Sequence, residues 1–140
     1  MYFGLLKKIF PFLLIPIFVA CQNQSYNSFI HNIGGTDFDE VYSIFVDNNQ
    51  NLITAGVFHN ELKWNGKTQF SAKGKTDLFV IKSNIQGEKI WSKKIGGTEN
   101  DWIYSVKSDS IGNVFLAGQT AVKTSGVGLI TKLDLSLIHI

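Results

Sequence analysis

The sequence predicts an all-β protein assembled from short antiparallel meanders, and three observations carry that prediction. First, Ile33-Gly34-Gly35-Thr36-Asp37-Phe38-Asp39 returns as Ile95-Gly96-Gly97-Thr98-Glu99-Asn100-Asp101, and the text after each copy returns with it. Gly34 and Gly96, Asp39 and Asp101, Tyr42 and Tyr104, Asp47 and Asp109, and Gly56 and Gly118 are each 62 positions apart. A fixed period marks an array whose units cannot bury their own apolar faces and therefore stack on neighbours. Second, the apolar runs are short, rich in β-branched and aromatic residues, and bounded by polar turns. Third, the composition is 44% hydrophobic and 13% aromatic with only 17% charged residues, which suits a β-rich globular chain and not a disordered tail.

At 140 residues the chain is long enough for one core, but the internal echo divides it. Every basic residue is a lysine, and the formal charge of +2 comes from Lys7 and Lys8. Without those two, 11 lysines face 11 acidic residues. A neutral body without arginine forks argues against nucleic acid as a partner.

The first element is a leader over residues 1–20, expected as an N-terminal signal helix: Lys7 and Lys8, then an apolar run from Ile9 to Ala20, interrupted by Pro11 and Pro16. As a helix those 12 residues reach about 18 Å, short of the bilayer core of about 30 Å. Phe18-Val19-Ala20-Cys21 resembles the lipobox of bacterial lipoproteins, although Phe18 stands where leucine is usual. That resemblance implies lipidation at Cys21. Because Cys21 is the sole cysteine, an exported chain has no internal disulfide partner for it, and lipidation accounts for the unpaired thiol. Residues 21–28 then form a polar tether, and the implied location is the bacterial cell envelope, with the protein anchored to a membrane and facing periplasm or exterior.

The first repeat, residues 29–94, reads as four strands. Glu40 to Val46 and Asn51 to Phe58 flank the polar turn at Asp47 to Gln50, followed by Thr76 to Lys82 and, after Gln86-Gly87, Glu88 to Lys94. Strand interiors are apolar on both faces, so each small sheet is expected to be covered on both sides. Four-stranded meanders repeated radially and covered by their neighbours are β-propeller blades. The second repeat, residues 95–134, has strands at Trp102 to Lys107, Asn113 to Gln119 and Gly128 to Leu133. Gly56 to Lys82 spans 26 positions and Gly118 to Lys132 only 14, so 12 residues are missing between the second and third strands. A length change at one place per repeat predicts a surface loop over Glu61 to Ala72, on the functional rim. Gln50 occupies the place of Gly112, where a left-handed backbone strains a residue with a side chain, so the first turn is expected to bend through Asn49 or Asn51.

The order Gly-Gly-Thr, Asp39, a strand ending in Asp47, Asn51 to Gly56, Asp77-Leu78-Phe79-Val80-Ile81-Lys82, Gly87 and Trp91 resembles the bacterial β-propeller repeat known as the SBBP repeat, from Phe29 to Asp134. The resemblance implies an extracytoplasmic repeat protein with more blades than are present here and with no defined reaction. Residues 135–140, Leu-Ser-Leu-Ile-His-Ile, fit neither repeat and resemble a translated sequencing adapter, so the propeller is expected to be incomplete.

Candidate site residues are few. Asp39 and Asp101 precede the innermost strand of each repeat; they either ring a channel mouth as ligand acceptors or accept backbone N–H bonds and fix the Gly-Gly turn. Asp47, Asn49 and Asn51 lack the glycine and glutamate of a calcium loop and read as a turn. His31 and His59 sit in no metal or triad spacing. Trp91 reads as packing between blades. Trp64, inside the extra segment, is either the aromatic candidate for a ligand rim or a buried outer-strand residue. No metal or cofactor is implied and no catalytic residue stands out. The expected role is a binding or scaffold module for a protein or polysaccharide ligand, anchored to the membrane. The alternative is part of a propeller enzyme, because Gly87-Glu88-Lys89-Ile90-Trp91 resembles the Gly and Trp pairing of quinoprotein dehydrogenase blades.

Overall fold

A computed structural model describes residues 28–122 and 125–133; the stretch expected to be a signal segment, Cys21 with most of the expected tether, and residues 134–140 lie outside them. The described residues contain nine strands and no helix. The strands are β1 (Asp39–Val46), β2 (Leu52–Phe58), β3 (Glu61–Trp64), β4 (Lys67–Ser71), β5 (Asp77–Ser83), β6 (Lys89–Ile95), β7 (Asp101–Ser108), β8 (Val114–Val122) and β9 (Ser125–Leu133). They form a four-stranded sheet in the order β1-β2-β5-β6, a three-stranded sheet β7-β8-β9, and a separate hairpin β3-β4. All pairings within these sheets are antiparallel. The first sheet is thus the four-stranded meander expected, and the second is an incomplete one.

The internal repeat is visible in the register. β1 pairs with β2 through an irregularity between Val41 and Ser43, and β7 pairs with β8 through one between Ile103 and Ser105. Tyr42 and Tyr104, 62 positions apart, are the residues bulged out at these points. Gly56 and Gly118 lie opposite the bulges. A Cβ on Gly56 would collide with the Glu40 carbonyl oxygen and the Phe79 ring, and one on Gly118 with the Trp102 carbonyl oxygen. Close approach of the bulged strand is what demands glycine there.

Cross-strand partners share a face, so the register sorts the core. Ile53, Ala55, Val57, Leu78 and Val80 point from the first sheet toward the second, which answers with Ile103, Val106, Val114, Leu116 and Leu133. Phe45, Trp91, Ile95, Trp102 and Leu129 close the margins of this cluster. Trp91 is therefore a packing residue between repeats. The opposite face of the first sheet carries Phe58, Phe79 and Ile81, and these are covered by Leu62, Trp64 and Phe70 of the β3-β4 hairpin. Burial of every residue of β5 follows from this double cover.

Two expectations are corrected here. Glu61 to Ala72 is not a surface loop: Asn65-Gly66, both at positive φ (49° and 79°), make a two-residue turn that folds the segment into a hairpin. Its alternation of Leu62 and Trp64 with Glu61 and Lys63 buries one side, so the extra residues serve as a lid on the sheet. Where the second repeat lacks them, β8 runs on into β9 with Val122 paired to Ser125. The first turn also bends through Gln50, at φ 61°, in place of Asn49 or Asn51; Gly112 has φ 92° at the matching position. Asp47 overrides the strain. Its Oδ1 accepts from the N–H groups of Asn49 (2.9 Å) and Asn51 (2.8 Å), its backbone oxygen from the Gln50 N–H (2.9 Å), and these bonds hold the chain in the left-handed well.

Candidate functional site

The end of the sheets where β1, β5 and β7 begin gathers the buried polar residues Thr76, Asp77 and Asp101. Each repeat opens with a Gly-Gly turn tied to the carboxylate that starts its first strand. The Gly35 N–H donates to Asp39 Oδ2 at 2.5 Å, and the Gly97 N–H donates to Asp101 Oδ2 at 2.9 Å. The remaining oxygens reach across the hairpin, Asp39 Oδ1 to the His59 N–H at 3.3 Å and Asp101 Oδ1 to the Thr120 hydroxyl. Asp101 is buried, Asp39 half-buried. Both carboxylates hold a turn and a strand start together, as loop-fixing aspartates do.

Asp77, at the start of β5, was not singled out by the sequence reading. It is fully buried, accepts from the Lys94 ammonium at 2.9 Å and from the Lys73 N–H at 3.0 Å, and leaves Oδ1 without a hydrogen-bond partner. A side chain on Gly96 would strike both Asp77 Oδ1 and Asp101 Oδ2, so the glycine is what lets the inter-repeat turn pass between the two acids. The signal available in the sequence was the Thr76-Asp77 pair opening an otherwise apolar strand: a charged residue there needs partners to be buried. Thr76 supplies further joints, through a parallel bridge to Asn100, a carbonyl that accepts from the Asp101 N–H at 3.0 Å, and a hydroxyl 2.5 Å from His59 Nε2.

Between the sheets at this end lies a cleft of about 280 Å³ lined by Leu78, Ile95, Gly96, Gly97, Asp101 and Leu129, together with Thr120. Its floor is apolar and its rim carries the Gly-Gly turn and the Asp101 carboxylate. A second, more apolar cleft of about 340 Å³ opens at the opposite end of the first sheet, among Phe29, Val46, Leu52, Ile85, Gln50 and Asn84. Nothing in the residue pattern announced it, because its walls come from turns distant in sequence.

Trp64 is not brought to the acids' cleft. It packs under the hairpin on the far face of the first sheet, its ring stacked on His31 at 4.3 Å between centroids, with Phe29 4.7 Å beyond. His31 also lies 3.2 Å from Asn65 Oδ1. Trp64 is therefore largely withdrawn from solvent, anchoring residues 28–33 to the hairpin, with Ile33 bridged to Trp64 itself. Among the described residues no group of three or more His, Cys, Asp and Glu is placed to hold a metal ion.

At the opposite end, a buried ion pair locks the first turn. Lys82 Nζ lies 2.6 Å from Asp47 Oδ2, with both side chains nearly free of solvent. Burial alone would raise the Asp47 carboxyl; the Lys82 hydrogen bond and the Asn51 donors outweigh it and hold the group below the usual carboxylate range. Asp109, in the second repeat, is also held low, first by the Asn113 side chain and then, against some desolvation, by turn N–H groups.

No family model matches the chain. It is 24% identical over 103 residues to an uncharacterized WD repeat-containing protein of Acanthamoeba polyphaga mimivirus, an alignment covering 61% of this chain and 7% of that protein. The chain therefore spans a small part of its relative's length. With tandem antiparallel meanders already in hand, this similarity points to a β-propeller-like repeat fold.

Proposed function

We propose that the chain is an exported, lipid-anchored propeller-type module of the SBBP kind that binds or scaffolds a protein or polysaccharide in the bacterial cell envelope. The observation that carries the binding part is the stacking of two equivalent meanders whose polar residues are spent on holding turns and strand starts. Such a body is a rigid frame with clefts at its ends, and rigid frames with variable rims suit recognition. The distant WD repeat relative supports a propeller-type module of this class.

The anchoring part rests on Lys7, Lys8, the apolar run to Ala20, and Cys21 as the sole cysteine. Two acyl chains on and near Cys21 would hold the body stably at a bilayer, which one chain would not. The test is expression of the full chain in a bacterial host fed radiolabelled palmitate. Label in the protein and its recovery with membranes are expected, both lost in Cys21→Ser; label that persists in Cys21→Ser overturns the anchor. For the binding part, the wild type is presented to immobilised envelope polysaccharides and envelope proteins, and retention on neither set argues against a recognition role.

A further inference from the structure

The turns joining β1 to β2, β5 to β6 and β7 to β8 lie at one end of the two sheets, and two of them carry apolar tips. The first turn presents Asn48 and Asn49; the others present Ile85 and Ile111, which are 52% and 73% exposed. Ile85 joins Phe29, Val46 and Leu52 around the apolar cleft of about 340 Å³. Ile30, next to Phe29, is 93% exposed. This end is not where one sheet stacks on the next, because that contact runs through the sheet faces, with β7 over β1 and β2. A further repeat stacked face to face would leave the tips uncovered.

The backbone of these two turns is already satisfied. Asn84 Oδ1 accepts from the N–H groups of Gln86 (3.0 Å) and Glu88 (2.8 Å), and Asp109 Oδ1 from those of Ile111 (3.1 Å) and Asn113 (2.8 Å). Turns whose donors are spent internally lose little when water is withdrawn, and their apolar tips gain. Charge divides between the ends in the same sense. The Gly-Gly end holds Asp37, Asp39, Glu40, Asp77, Glu99 and Asp101 against Lys73, Lys75 and Lys94. At the turn end Asp47 is neutralised by Lys82, and the exposed Lys89, Lys107 and Lys132 outnumber Glu88 and Asp109.

The chain also enters the body here. A Cβ on Gly87, in the β5–β6 turn, would meet the Phe29 ring at 2.8 Å and His31 Nε2 at 2.6 Å, so Phe29 and His31 lie on that turn. Ile33 is bridged to Trp64 and the Gly34 N–H donates to the Lys63 carbonyl, so the segment runs from the turn end toward the Gly-Gly end. Seven residues, 22–28, separate Phe29 from Cys21. Fully extended they span at most about 25 Å.

We propose that the turn end docks on a lipid bilayer, Ile85 and Ile111 entering the boundary between headgroups and acyl chains with Phe29 and Ile30 beside them. Docking of this kind presupposes the lipid anchor at Cys21 proposed above and adds which end of the body faces the membrane. The occupant is the bilayer because the tether holds it within reach of this end and of no other. Apolar tips on self-satisfied turns, flanked by lysines, match an interface with anionic headgroups. The cleft beside Asp101 then faces away from the membrane.

The test uses the full chain made in a bacterial host, purified with its acyl chains and reconstituted in vesicles of phosphatidylethanolamine and phosphatidylglycerol. A fluorophore is attached at Asn48→Cys, at the turn end, or at Thr98→Cys, at the Gly-Gly end; both positions are exposed. The strands between the ends put the two probes about 25 Å apart in height. A nitroxide on the lipid headgroups is expected to quench the Asn48 probe and spare the Thr98 probe. Ile85→Lys combined with Ile111→Lys is expected to lower the docked population on the order of 100-fold and so abolish that quenching. Palmitate label, flotation with the vesicles and β-sheet circular dichroism are kept, because both isoleucines are exposed in the body itself. Equal quenching of the two probes, or Asn48 quenching that survives both lysines, overturns the docking, while retained palmitate label leaves the anchor standing. An Asn48 probe shielded from iodide but untouched by the nitroxide means that protein covers this end, and overturns the docking too. Absence of palmitate label overturns the anchor, and the docking with it.

Discussion

In the first repeat β2 and β5 are sealed on both faces, by the second sheet on one side and by the β3-β4 hairpin on the other. In the second repeat the same strands are sealed on one face and open on the other, with Ile130 almost fully in water where Val80 is fully buried. The two share bulges, turns and Gly-Gly joints, so local structure does not make the difference. What differs is the number of neighbours. A meander of this kind acquires its core from what stacks on it, which is why identical local grammar yields unequal burial.

The sharpest way to test that contrast is the charged turn. Asp47→Ala strips the partner from buried Lys82 and is expected to cost about 3–5 kcal/mol, read as a drop in guanidinium midpoint. Asp109→Ala removes turn hydrogen bonds in a setting where no buried lysine depends on them, and the drop should be clearly smaller. Equal losses would mean that the ion pair in the first repeat adds nothing beyond the turn.

The same pair gives a pH signature. The Asp47 carboxyl is lowered in the folded protein, so the unfolded chain binds more protons in the acid range and stability rises with pH there. The contribution is fully present above the unfolded value near 3.8 and is lost as pH falls through the depressed folded value. Melts of wild type between neutral pH and pH of about 2 should lose more than melts of Asp47→Asn over the same window. Parallel curves would remove Asp47 from the account of acid sensitivity.

Core substitutions come next in size. Val80→Ala removes two buried methyl groups and should cost about 2 kcal/mol, whereas Ile130→Ala at the equivalent position should stay within about 0.5 kcal/mol in a single copy. If Ile130→Ala costs as much as Val80→Ala, the second sheet's outer face is covered in solution.

Much of this was legible from residue order alone. The period of 62 fixed which strands correspond, and the short β-branched runs placed β1, β2, β5, β6 and β7 within a residue, while β8 and β9 each extend three residues beyond the expected ends, toward one another. Two features escaped for physical reasons. The segment at Glu61 to Ala72 was read through its length difference, which marks surface insertions in general, while Asn65-Gly66 between alternating residues carried the contrary and more local signal for a hairpin. Asp77 escaped because burial of a carboxylate depends on Lys94 and the Lys73 N–H, partners set by tertiary approach and not by spacing. The candidate rim residues show the same limit: Trp64 follows the hairpin to the far face, whereas Asp101 borders the cleft between the sheets.

The smallest effect is the most discriminating, because it asks whether the two turns are the same turn. Gln50 holds φ 61° with a side chain where Gly112 holds φ 92° without one. A side chain in the left-handed region costs about 1–2 kcal/mol, and glycine returns part of that gain as unfolded-state entropy. Gln50→Gly is therefore expected to raise stability by about 0.5–1 kcal/mol, and Gly112→Gln to lower it by a comparable or larger amount, since among the described residues no lysine steadies the Asp109 turn in the way that Lys82 steadies Asp47. Denaturant midpoints of the two variants and of the double exchange measure this. A loss of stability in Gln50→Gly would show that the Gln50 side chain contributes more at the mouth of the apolar cleft it lines than its backbone strain costs.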